Sequence, residues 1–168
     1  ISDDKIVLSI GGASATFTFN FKSIETIVAD LNIALAILLS HVGDNANAGE
    51  LASPIYQQST FFERSDLFEG LLDCLYSSNN LAELHSACVW AVEQNHLVND
   101  VLLFSVRLYK MHKRASHEEQ ELVESLLILL NKHFTEKNHV EQLAASHYNL
   151  GNLYGSKSMY LRSIHHYN

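Results

Sequence analysis

Apolar residues recur every three to four positions through most of this chain, and every second position only near its start. Lys5–Ile10 is β-branched and apolar, Gly11-Gly12 supplies a turn, and Ala15–Phe21 alternates. Phe17, Phe19 and Phe21 share one face of that second strand, with Thr16, Thr18 and Asn20 on the other. A lone hairpin is marginal in water, so the phenylalanine face is expected to pack on a helix or another sheet. The nearest candidate is 23–41, where Ile24, Ile27, Val28, Leu31, Ala34, Leu35 and Leu38 fall at helical spacing. Ile33 and Ile37 widen that stripe, which predicts cover on more than one side.

Gly43–Gly49 is small, polar and bracketed by glycines, the composition of a linker. Ser53-Pro54 is expected to start a short helix, serine as cap and proline in the first turn. Beyond it the helical period is continuous. Asp66 precedes Glu69 by three, as Asn80 precedes Glu83, Ser116 precedes Glu119 and Asn138 precedes Glu141. Each pair has the spacing that satisfies free amides at a helix start. Helices are predicted over 65–77, 80–94, 98–112, 117–134, 139–155 and 158–168, with gaps short enough to make neighbours antiparallel. The fourth has the clearest stripe: Leu122, Val123, Leu126, Leu127, Leu130 and Phe134. The expected organisation is a β-hairpin with a long helix (1–42), a linker with a short helix (43–64), and helical hairpins (65–168).

Composition agrees with a mainly α chain. Among 168 residues there are one proline, Pro54, and seven glycines, too few breakers for a many-turned β-sandwich. At 47% apolar the chain has the means to build a core. Its longest apolar run, Ile33–Leu39, is seven residues, against the ~20 that span a bilayer. The net charge of −8 is uneven: residues 1–100 hold 13 acids and 3 bases, residues 101–168 hold 6 acids and 8 bases. The acidic part is expected to repel nucleic acid and anionic membranes. No targeting segment is visible, and a chain that begins with Ile1 is expected to be a piece of a larger protein. Cys74 and Cys88 read as small apolar residues on two helices, which suits a reducing, cytoplasmic setting.

Helical hairpins in series suggest a repeat architecture. In Ala144–Asn168, Leu150-Gly151, Tyr154, Tyr160, Ser163 and Tyr167 follow Tyr148-Asn149 at a characteristic spacing. This stretch resembles a tetratricopeptide repeat. Gly151 lets a partner helix approach, Tyr154 packs one turn on, Ser163 stands where the family has alanine, and Tyr167 closes the hairpin. Ser158 replaces the family's glycine at the turn. The resemblance implies an irregular α-solenoid; a compact helical bundle is the alternative. Some members of the family clamp C-terminal carboxylates with lysine and asparagine. Asn152 occupies such an asparagine's position, but Tyr148 stands in place of the lysine, so that activity is not carried over.

The chain shows no catalytic motif. Its ten histidines include no pair three or four apart, the spacing that lets one helix hold a metal. Two distant cysteines do not complete a zinc site. Gly11-Gly12 lacks the lysine and further glycine of a phosphate loop. No metal, cofactor or catalytic residue is therefore expected. Arg107, Lys110, Lys113 and Arg114 form the one basic cluster, near a helix C-terminus where cations complement the dipole. With Tyr148 and Asn152 they are the candidate binding residues. The expected function is a non-catalytic interaction or scaffold module that binds a protein or peptide, with neither nucleic acid nor membrane as partner. The alternative is a regulatory or sensor region whose effector lies elsewhere in a larger signalling enzyme.

Overall fold

The computed structural model describes residues 4–10, 12–19, 24–53, 65–111 and 116–167. Within them the chain is mainly helical, with one antiparallel hairpin at the start. No helix among the described residues is long and apolar enough to cross a membrane. Two compact units are present, 1–90 and 91–168.

In the first unit, β1 (Asp4–Ile10) pairs with β2 (Ala13–Phe19), with Ile10 opposite Ala13. Gly12 takes φ +86° in the turn, a conformation that favours glycine. Both strands lie against α1 (Ile24–His41), the helix expected to cover them. The side chains of Phe17 and Phe19 are not described, and Asn20 and Phe21 lie outside the described residues. The buried side of α1 differs from the predicted stripe: Val28 is exposed, while Ala29, Asp30, Ile33, Ala34, Ala36, Ile37 and Leu38 are buried.

The linker reading of Gly43–Gly49 is corrected by α2 (Asn45–Ala52). Asp44 caps this helix, accepting from the Asn47 backbone at 3.5 Å and the Asn47 side chain at 2.8 Å. The small residues that suggested a loop are what its packing requires. Ala48, Gly49 and Ala52 are buried, and a Cβ on Gly49 would come within 2.3 Å of Ser78 Oγ. Ser53 is the C-cap of this helix, its N–H donating to Gly49 O at 3.0 Å. The expected short helix after Pro54 lies outside the described residues.

α3 (Ser65–Ser77) buries Leu67, Phe68, Leu71, Leu72 and Leu75, and packs on both α1 and α2. It begins at Ser65, so Asp66 sits in the first turn and does not precede it. α4 (Leu81–Glu93) is capped as expected, Asn80 Oδ1 accepting from Glu83 N at 3.4 Å. Cys74 and Cys88 are buried free thiols.

The second unit runs α5 (Val98–Met111), α6 (His117–Lys137), α7 (Val140–Ser156) and α8 (Tyr160–Tyr167). Each packs on the next in sequence, and α5 also touches α7. Ser116 and Glu119 form the complete capping box, and all six residues of the predicted α6 stripe are buried. Asn138 has the opposite role from the one its spacing to Glu141 implied. It is the left-handed C-cap of α6 at φ 56°, and α7 starts after His139 with no side-chain cap. Asparagine suits both positions, because its short amide tolerates the left-handed region as well as capping amides.

Candidate functional site

The α7–α8 hairpin gathers most of the residues singled out in the sequence. The approach of its helices is set by small groups. A Cβ on Gly151 would lie 2.6 Å from Tyr167 Cε1, and one on Gly155 would lie 3.3 Å from Ser163 Oγ. Ser163 Oγ donates to Gly151 O at 2.8 Å, so a buried hydroxyl satisfies a backbone carbonyl across the seam. Between the helices Ser158 takes φ 58°, the conformation for which glycine is usually chosen.

Tyr154, buried, ties this hairpin to α6. Its hydroxyl donates to Glu124 Oε1 at 3.0 Å, and Lys157 Nζ donates to Glu124 Oε2 at 2.5 Å. Burial pushes the Glu124 carboxyl up, but the Lys157 and Tyr154 bonds outweigh it and hold the group below its usual range. Tyr154 is raised, by burial and then by that carboxylate. His166 stacks on the Tyr154 ring with centroids 5.4 Å apart, and Arg162 lies 5.6 Å from the ring centre.

At the α7 N-terminal side of the seam, His147 Nδ1 meets His166 Nδ1 at 2.9 Å. The ring centroids are 5.2 Å apart, little more than that bond plus two ring radii, so the nitrogens point at each other. One donates and one accepts. His166 is held below the usual histidine range by burial, then by His147 and His165. These histidines, Ala144, Tyr148 and Tyr167 line a cleft of about 370 Å³. Among the described residues, no group of three or more histidine, cysteine or acidic side chains is placed to hold a metal.

Tyr148 is exposed, its ring 6.2 Å from that of Tyr167. Asn152 is engaged within the hairpin, accepting from Tyr167 Oη at 2.6 Å. Tyr109 on α5 is a third phenol nearby: burial, then Tyr167 and Tyr148, raise its pKa. Tyr160 is exposed and Leu150 buried. The basic cluster is only partly described. Arg107 lies over Phe104, 4.9 Å from the ring centre, and Lys110 is exposed in the last turn of α5. Lys113 and Arg114 lie outside the described residues. Sequence reasoning missed the His147–His166 pair because its partners are 19 positions apart on different helices. The signal available was the hairpin register: once Gly155 faces Ser163 and Gly151 faces Tyr167, one more turn back on α7 reaches His147.

No family model, curated protein or solved structure matches this chain.

Proposed function

We infer that the chain is a non-catalytic interaction module of the cytoplasm, an irregular α-solenoid with a tetratricopeptide-like end that captures a protein or peptide partner. The observation that carries this reading is the two-sided character of the α7–α8 hairpin. Its inner contacts are small and interlocked, at Gly151, Gly155 and Ser163. Its outer surface is aromatic and aliphatic, with Tyr148, Tyr160, Leu161, Ile164 and Tyr167 exposed. Exposed apolar side chains clustered on so short a segment mark interaction surfaces more than catalytic ones. Packing of α5 through α8 in chain order, with α5 also reaching α7, is how a solenoid grows. The thiols fit a non-catalytic role in a reducing compartment. Burial pushes Cys74 up to about 12 and Cys88 higher still, which leaves neither as a ready nucleophile.

The test is capture from lysate by the immobilised chain, followed by binding kinetics on whatever is enriched. Tyr148→Ala is expected to speed dissociation, and Lys110→Glu to slow association, because buried aromatics carry affinity while rim charges set encounter rate. No enriched partner together with substrate turnover by the purified chain would overturn the reading.

A further inference from the structure

We propose that His147 and His166 form a two-histidine site for a divalent transition-metal ion such as zinc, tying α7 to α8 through both Nδ1 atoms. The proposal goes beyond the interaction-module reading and does not depend on it. The spacing that predicted no metal counts partners on one helix, whereas this pair spans the two helices of a hairpin. Its Nδ1 atoms lie 2.9 Å apart, turned toward each other. Two imidazole nitrogens bound at ~2.0–2.1 Å to one tetrahedral ion stand about 3.3 Å apart, with their ring centres about 5.2 Å apart. The ring centres of His147 and His166 are 5.2 Å apart. The helices therefore already hold both imidazoles at ligand spacing. A turn of roughly 35° by each ring brings the two lone pairs to one point, and the gap between the nitrogens opens by about 0.4 Å.

The surroundings give that point space and a firm frame. The pair borders a cleft of about 370 Å³, into which the ion's remaining positions face, with water to complete them. Gly151 lies one turn along α7 from His147, and Tyr167 follows His166 on α8. The Gly151–Tyr167 approach and the bond from Ser163 Oγ to Gly151 O thus fix the helix spacing beside the pair. Ligands held in advance by such packing lose little freedom when an ion arrives. The donors select the class of ion. Imidazole nitrogen suits zinc, copper, nickel and iron, while magnesium and calcium take oxygen ligands. Burial and then His147 and His165 hold His166 below the usual histidine range, so at neutral pH it is the uncharged ligand form. The proton shared between the two Nδ1 atoms must leave as the ion binds. The Nε2 of the donor ring takes one up, so that ring changes tautomer and stays neutral.

The test titrates the whole untagged chain with zinc chloride at neutral pH in a calorimeter, with magnesium chloride as the oxygen-seeking control. One zinc per chain and no magnesium is the expected result. His147→Gln and His166→Gln each leave a single ligand. Each is expected to weaken zinc by at least the roughly tenfold to hundredfold that loss of an outer partner costs. Both side chains are half-buried, and circular dichroism checks that the variants stay helical. His139→Gln, at an exposed position before α7, is expected to leave zinc binding unchanged. A second readout needs no variant: zinc is expected to shield His147 and His166 from acylation by diethyl pyrocarbonate, mapped by mass spectrometry, while exposed His117 and His139 stay reactive. No bound zinc, an equal response to magnesium, zinc bound with neither seam histidine shielded, or an equal loss from His139→Gln overturns the proposal.

Discussion

Tyr167 lays its ring against the bare backbone of Gly151, so closely that a methyl group there would sit 2.6 Å from its Cε1. The hydroxyl of the same ring reaches Asn152 at 2.6 Å. One side chain therefore clamps two successive residues of α7 from the last residue of α8.

Gly151→Leu is expected to destabilise the second unit by ~1–3 kcal/mol, the usual cost of overpacking. Tyr167 is half exposed and is able to swing aside, so the lower end applies if its contacts are given up. Tyr167→Ala then relieves the clash, and Gly151→Leu costs less in that background than alone. Denaturant midpoints of the four proteins of the cycle measure this; equal costs in both backgrounds would mean that the two residues are uncoupled.

The His147–His166 pair predicts acid sensitivity. Folding depresses the pKa of His166, and of His133 through burial and then Lys137 and His139. A depressed histidine is protonated more readily in the unfolded chain. Stability is thus complete above about 6.5, and falls as pH drops through the lower folded values. Two doubly protonated rings would also present N–H to N–H, ending the Nδ1–Nδ1 bond. Melting temperatures at pH 7.5 and 5.5 should differ, and His166→Gln should shrink the difference.

Glu124 is expected to be the weak point between α6 and α7. Glu124→Ala leaves Lys157 and the buried Tyr154 hydroxyl without their acceptor, at a cost of about 1–3 kcal/mol. Tyr154→Phe removes only one neutral donor and should cost about 1 kcal/mol. The ranking of the two variants by chemical denaturation is the check; a larger loss for Tyr154→Phe would contradict it.

Both thiols should resist a thiol reagent in the folded protein. Cys74 and Cys88 are buried, and their pKa values are pushed up by that burial. Full labelling is expected only in denaturant, and rapid labelling of either under native conditions would show that its helix opens locally.

Long-period features were legible in the sequence and short exceptions were not. The α6 stripe and the Ser116–Glu119 box appear where the pattern puts them, because a helix of 21 residues repeats its signal over several turns. The 45–52 helix was hidden because it is short and its buried side is alanine and glycine, residues whose packing value depends on a neighbour, Ser78, far along the chain. Asn138 was misplaced because one residue type serves two cap geometries. At the candidate site, Gly151, Ser163 and Tyr167 were picked out through the resemblance of one hairpin to a known repeat, and the structure brings them together. The tie from Tyr154 to Glu124 was not, since it depends on how a third helix leans.

The left-handed residues at the helix ends bear on the chain when it is not folded. Asn79, Asn95, Asn138 and Ser158 hold φ between 55 and 58°, and Leu97 holds 49°, where glycine would rest without strain. Each glycine that an alanine can replace without strain costs about 0.4–1 kcal/mol through the added freedom of the denatured ensemble. A left-handed L-residue costs up to about 1–2 kcal/mol in the native state, with asparagine toward the low end. These opposing effects offset one another in part, so left-handed helix ends are built from residues other than glycine in a chain that carries seven glycines. Its denatured state is stiffer at its turns than a glycine-turned chain of equal length, and less of the ordering at each reversal is left for folding to supply.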